Sequence, residues 1–190
     1  MVIIGGRGRY RHYGTRRAAV SARRAPVHLP RMALPTFVPP PYPAEFDAET
    51  LGRSIAELDG LDIEKGAYGM GGVAWLARAL VSSLRDLGPA ELRRLLAHGR
   101  GVRWTLPLAL VRLEREPFLA GDYGPGDVLG AVLALGPDDP AWSPARRALL
   151  ARVLDGARSG VGALAEPDRM RIADDLDAAR ELFGPDPERP

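Results

Sequence analysis

The sequence predicts an all-α fold: a compact domain of about six to seven helices, preceded by a disordered arm rich in arginine and proline. After residue 46, apolar residues recur three or four positions apart, which is the spacing of one helix face. The same segments begin at Ser, Thr, Asp or Pro and end at Gly, as helices do. No convincing strand pattern interrupts them, so the 190 residues are expected to form one helical domain with disordered additions.

The arm differs from the rest of the chain in charge. Eight of the 26 basic residues precede residue 32, all of them arginines and without a single acid, so this stretch carries +8. The other 18 basic residues face 24 acids, which leaves the remainder at −6. Residues 1–31 show no apolar period and residues 34–43 are proline-rich, a composition that favours extended conformations. We therefore expect residues 1–46 to be unpacked.

Two interpretations of the arm are open. Residues 9–13 (Arg-Tyr-Arg-His-Tyr) can bind phosphates and stack on bases, as a nucleic-acid-binding arm would. The favoured interpretation is a wrongly assigned start, with Met32 as the alternative, because translated GC-rich DNA gives similar acid-free, arginine-rich sequence. The arginine pairs at 16–17 and 23–24 precede no apolar segment, so export is not predicted.

The first predicted helices follow in order along the chain. A capping box at residues 54–57 (Ser-Ile-Ala-Glu) begins a short helix that Gly60 ends. The next helix is closed by Gly88 and has apolar residues at Val73, Leu76, Leu80, Leu84 and Leu87. Pro89 begins a further helix, which Gly99 ends.

The second half continues the pattern. Thr105 and Pro107 open the strongly apolar segment 106–113, which is expected to be the most buried helix. Residues 124–127 lead into another helix, and Ser143 caps the one after it. A last helix is predicted from Pro167 to about Phe183. We thus divide the folded part into a helical domain at 47–158 and a C-terminal helix with its tail at 159–190.

No residue pattern predicts catalysis. The absence of cysteine excludes disulfides, thiol nucleophiles and Cys-based zinc sites, and fits a reducing cytoplasm. The three histidines are too far apart in sequence to predict a metal site. Residues 69–74 match G-x-G-x-x-A, but the short, charged segment before them is not the strand that a dinucleotide site requires. We expect neither a cofactor nor a bound metal.

Paired carboxylates leave one further chemical option. Asp122 with Asp127, or Glu114 with Glu116, suit a general-acid pair or a divalent-cation site. Helix ends explain these acids more simply, since Asp127 is predicted in a first turn, where the helix dipole favours a carboxylate. A hydrolase that uses Asp122 and Asp127 is therefore the last-ranked function.

Four sequence blocks carry a family resemblance. They are residues 54–62 (SIAELDGLD), 91–93 (ELR), 106–110 (LPLAL) and 121–129 (GDYGPGDVL), followed by Trp142. In order and spacing this pattern resembles the contact-dependent growth inhibition (CDI) immunity proteins over about residues 51–154. The family's tryptophan, glutamine and turn aromatic are replaced here by Ile63, His98 and Gly124.

The resemblance implies an antitoxin without catalysis of its own, which binds the C-terminal toxin domain of a CDI effector in the cytoplasm and blocks it. Many such toxins are nucleases with basic clefts, toward which a body of charge −6 would be steered. Nucleic-acid binding through the arginine arm remains the alternative. We expect a monomer when the chain is free.

For the partner interface we predict Asp122, Tyr123 and Asp127, with Glu114 and Glu116 as rim charges, since tyrosine can anchor a patch and carboxylates can pair with Arg or Lys. The competing interpretation treats residues 121–126 as a turn whose aspartates cap backbone amides, with Tyr123 packed against neighbouring helices.

Overall fold

The computed structural model describes residues 42–63 and 74–184, which form eight α-helices and no strand. Two 3-10 turns, Leu84–Asp86 and Val161–Ala163, join them. The helices are α1 (Ala48–Gly52), α2 (Ile55–Asp59), α3 (Ala74–Val81), α4 (Pro89–Ala97), α5 (Val102–Arg115), α6 (Asp127–Leu133), α7 (Pro144–Gly160) and α8 (Asp168–Phe183). The all-α prediction is confirmed. The predicted arm up to residue 41, the glycine motif at 69–73 and the tail from 185 lie outside the described residues.

The helix beyond the predicted six to seven is α1. Its N-cap is Asp47, whose carboxylate accepts a hydrogen bond from the Thr50 N–H at 2.7 Å. Only five residues long, α1 is too short for an apolar period to reveal it in the sequence. Its Leu51 nevertheless reaches the core.

Two predicted helix boundaries were wrong. The helix expected to run to Leu87 ends at Val81, because the Leu84 N–H donates to the Arg53 carbonyl at 2.9 Å rather than continuing the helix. In the second case, α5 begins at Val102 instead of Thr105, so Pro107 lies inside the helix.

Helix α5 separates two apolar clusters and contains more buried residues than any other described helix, in agreement with the prediction. Leu106, Leu110 and Leu113 pack into the larger cluster, with α6, α7 and α8. On the other side, Leu108 packs into the smaller cluster, formed with α1 to α4. Apolar residues on both sides explain why the 106–113 segment is so strongly apolar.

Packing starts before residue 47. The Phe46 ring lies 5.7 Å from the ring of Trp104, and Tyr42 also contacts the smaller cluster. The last five residues of the segment predicted to be unpacked, 42–46, are thus part of the fold.

At the other end of the domain, the predicted boundary at residue 158 falls inside α7, and α8 adds Ile172, Leu176 and Ala179 to the larger cluster. Among the described residues, no helix combines the length and the hydropathy needed to cross a bilayer.

Candidate partner-binding face

Residues 121–126, between α5 and α6, form a turn that Asp127, the first residue of α6, holds in place. Its carboxylate accepts hydrogen bonds from the backbone N–H of Gly121 at 2.6 Å and of Tyr123 at 2.8 Å. Gly126 has φ +77°, and a Cβ there would lie 2.7 Å from Cδ1 of Ile172. This glycine is therefore required both by the backbone conformation and by the close approach of α8.

Asp122 points from the same turn toward α4. Arg94 binds its carboxylate through two donors, with Nε at 2.7 Å and Nη2 at 2.5 Å, while Arg93 Nε lies 3.4 Å away. This hydrogen bond between Arg94 and Asp122 lowers the pKa of the Asp122 carboxyl and raises the pKa of the Arg94 guanidinium, and in both groups it is the largest cause of the shift. Two parallel bonds of this kind fix the orientation of both groups.

Tyr123 is the most exposed large hydrophobic side chain of the described residues, at 79%. The Arg93 guanidinium lies over its ring, 4.4 Å from the centroid, a distance at which a cation–π attraction is expected. The expectation that Tyr123 packs against neighbouring helices was wrong; Arg93 holds its ring at the surface instead.

Trp75 of α3 extends this row of side chains. The Arg94 guanidinium lies 5.6 Å from the Trp75 ring centroid, and the His98 ring centroid lies 5.2 Å from it. We call the resulting surface the aromatic–arginine face, which consists of Trp75, Arg93, Arg94, His98, Asp122 and Tyr123. A groove of about 310 Å³ adjoins it, shares Trp75 and Arg94 with it, and reaches Ser82.

The structure brings together only part of the predicted interface. Asp122 and Tyr123 belong to the aromatic–arginine face, whereas the Asp127 carboxylate is occupied by two backbone amides. Glu114 instead bonds Arg152 of α7 at 2.7 Å. Glu116 is exposed where α5 ends, and no ion pair joins it to another described residue.

The two aspartates of the turn do not form a shared acid or metal site. Asp122 is bound to Arg94 and Asp127 to backbone amides, so each carboxylate already has its own partners. Within residues 42–63 and 74–184, no group of three potential metal ligands comes together.

The sequence alone did not single out the two arginines or Trp75 as interface residues. Arg93 and Arg94 lie outside the buried leucine stripe of α4 (Leu92, Leu95 and Leu96), where arginines are common. What sets them apart is Asp122, 28 residues from Arg94, which no helix spacing connects to either arginine.

The comparisons with known proteins add one match. Residues 57–147 match a family model described as CDI immunity proteins, which confirms the resemblance seen in the sequence. The matched region begins in α2, ends in α7 and contains the whole aromatic–arginine face. Comparison with curated proteins and with solved structures gave no match.

Proposed function

Because the chain belongs, through residues 57–147, to the family of CDI immunity proteins, we propose that it binds the C-terminal toxin domain of its cognate CDI effector and blocks the toxin's active site or substrate surface. Membership implies toxin neutralisation in general. The proposal adds the target domain, the mode of action and the surface that makes the contact.

The observation that carries the proposal is the aromatic–arginine face inside the matched region. Tyrosine, tryptophan and arginine are the residue types that most often dominate the binding energy of protein interfaces. Here all three occur in one continuous row, and Tyr123 at its end is almost fully exposed. An interface centred on Tyr123 would remove its ring from water.

The side chains of this face are already ordered by contacts within the chain. Arg93 is stacked on Tyr123, and Arg94 is held by both Asp122 and Trp75. Ordering a long side chain costs roughly 0.5–1.5 kcal/mol on association, so side chains fixed beforehand lose less. Preorganisation of this kind favours tight binding.

Charge supports the approach of a basic partner. Within residues 42–63, six acids accompany a single arginine, giving −5, whereas residues 74–184 contain 15 basic and 15 acidic side chains. The negative charge is therefore concentrated near α1 and α2. It would speed encounter with a basic toxin surface, an effect that salt weakens.

The remaining features of the proposal follow from this mode of action. The chain acts as a monomer in the cytoplasm, forms a one-to-one complex, and neutralises the toxin by covering it, without catalysis, cofactor or metal. The arginine arm plays no part in this contact.

A growth assay tests the proposed function. The C-terminal domain of the protein encoded immediately upstream of this chain, taken as the candidate toxin, is expressed in bacteria together with the full chain or with its Tyr123→Ala variant. We expect growth to be restored by the full chain and restored much less by the variant, with Arg115→Glu as an exposed control outside the face. Growth arrest that the full chain fails to relieve would overturn the proposal.

A further inference from the structure

A second surface, between α7 and α8, shares no residue with the aromatic–arginine face. It is a groove of about 250 Å³ whose apolar wall is formed by Leu150, Ala151, Leu154, Ala179 and Phe183. Leu150, Leu154 and Ala179 are buried members of the larger cluster, and the Phe183 ring packs edge-on against Trp142 at 5.3 Å. Because its floor is part of the core, the groove is formed before any partner binds.

The rim of the groove is positively charged. Three arginines line it, Arg147, Arg158 and Arg180, against a single acid, Asp155. Arg158 lies 3.5 Å from Asp155, whereas Arg180 has no ion-pair partner among the described residues. The local balance is thus +2. Arg180 can bind a carboxylate, and so can Arg158, because its 3.5 Å contact with the exposed Asp155 leaves other N–H donors of the guanidinium available.

This local charge is opposite to that of the chain around it. The described residues together carry −5, all of it from residues 42–63, so the groove is a positive site on an acidic body. A basic segment of a partner would find no complementary charge in this groove, whatever the net charge of the whole partner. A segment with carboxylates beside an apolar side chain would be complementary to both the arginine rim and the apolar wall of the groove.

The size of the groove limits its occupant. Ligand pockets range from about 300 to 1,000 Å³, and at about 250 Å³ this groove is slightly smaller than that range. It has room for one or two apolar side chains of a peptide segment, with the arginines spaced along its rim to meet flanking acids. Salt bridges from arginine to carboxylate would then fix the register of that segment.

We propose that the α7–α8 groove binds an acidic segment of the toxin chain, which inserts an apolar side chain between Leu150 and Phe183 and pairs its carboxylates with Arg158 and Arg180. This inference rests on the proposed function and makes the groove a second toxin contact, remote in sequence from Tyr123. The groove would help this chain to discriminate its cognate toxin from other toxins, because a toxin without acidic residues in that segment would leave Arg158 and Arg180 without carboxylate partners.

Two variants of the full chain test the groove directly. Arg180→Glu reverses the free charge without breaking an ion pair between described residues, and Ala151→Trp fills the apolar wall. By calorimetric titration with the toxin domain, we expect each variant to bind about tenfold more weakly than the natural chain. Arg115→Glu, with the same charge change on α5, is expected to bind as the natural chain does.

A cross-linking experiment identifies the segment. Because the chain contains no cysteine, a photoreactive label can be attached at Asp155→Cys, a rim position whose side chain is 80% exposed. In the complex, we expect the label to capture a toxin peptide that contains Asp or Glu beside an apolar residue. Capture of a basic peptide, or of none, would overturn the inference.

The two proposals fail differently. If the natural chain binds the toxin and both groove variants bind equally well, the groove inference is wrong and the proposed function stands. If the natural chain forms no complex with the toxin, both are overturned.

Discussion

Two aspartates of one turn have different roles, although the sequence alone presents them as equivalent. Asp127 accepts hydrogen bonds from two backbone amides and so holds the turn, whereas Asp122 binds Arg94 at the surface. The sequence predicted Asp122, Asp127 and Tyr123 together as interface residues. In the structure, Asp127 holds the turn that displays Asp122 and Tyr123 at the surface.

Replacing Tyr123 separates binding from folding. Since the ring is 79% exposed, Tyr123→Ala is expected to change the free energy of unfolding by less than about 0.5 kcal/mol. Loss of a central aromatic anchor should weaken toxin binding by at least about tenfold, measured by titration. Tyr123→Phe keeps the ring over Arg93 and should retain most of the affinity; equal affinity of all three proteins would contradict a role for this side chain.

The Asp122–Arg94 bond makes stability depend on pH in a defined direction. The bond lowers the pKa of Asp122 from its usual value near 3.8, so its contribution is complete above that value and is lost as the pH falls through the lowered one. We expect Asp122→Asn to have a lower melting temperature at pH 7, with a gap to the natural chain that closes below about pH 4. A gap unchanged down to pH 2 would show that the charge is not responsible.

At the scale of elements, the sequence predicted seven of the eight described helices but fewer of their ends. Capping serines located α2 and α7, and a proline at the first helical position located α4, because these are local signals. The end of α3 is set instead by a bond from Leu84 to Arg53, a long-range contact that a local pattern does not contain. The same limit explains why Asp122 was predicted at the interface while Arg94, its partner from α4, was not.

The capping box of α2 is a testable case of such a local signal. Ser54 accepts from the Glu57 N–H, and the Glu57 carboxylate accepts from the Ser54 backbone and hydroxyl. We expect Ser54→Ala to lower the free energy of unfolding by about 1 kcal/mol in denaturant titration. Ser159→Ala, at an exposed position inside α7, should cost less than about 0.5 kcal/mol; an equal loss in both variants would argue against capping as the cause.

For the whole molecule, Arg146 links three distant parts of the chain. Its guanidinium donates to the Ala141 carbonyl at 2.7 Å and to Glu45 at 3.0 Å, and it lies 3.5 Å from the Arg103 carbonyl. Within α5, the Arg103 carbonyl would normally accept a hydrogen bond from the N–H of residue 107. Pro107 has no N–H, so this carbonyl lacks its usual helical donor. Arg146 thus joins the segment before α1, the central helix and the start of α7.

We expect Arg146→Ala to cost about 2 kcal/mol of unfolding free energy, since it removes charged donors from backbone carbonyls that have few alternatives. Arg152→Ala is the matched control on the same helix. Its side chain is 60% exposed and pairs with Glu114 at the surface, so the expected cost is below about 1 kcal/mol. A similar loss in both would contradict the linking role.

As a whole molecule, this chain is proposed to neutralise a toxin by forming a complex through its folded helical part. A calorimetric titration tests this with the candidate toxin domain, the C-terminal domain of the protein encoded immediately upstream, against the full chain and against residues 32–190, at two salt concentrations. We expect tight one-to-one binding by both proteins, weakened in the same proportion by salt. If neither protein binds, the proposed toxin neutralisation by complex formation is contradicted. If only the full chain binds, and this binding is lost at high salt, the arginine arm and not the helical part makes the contact.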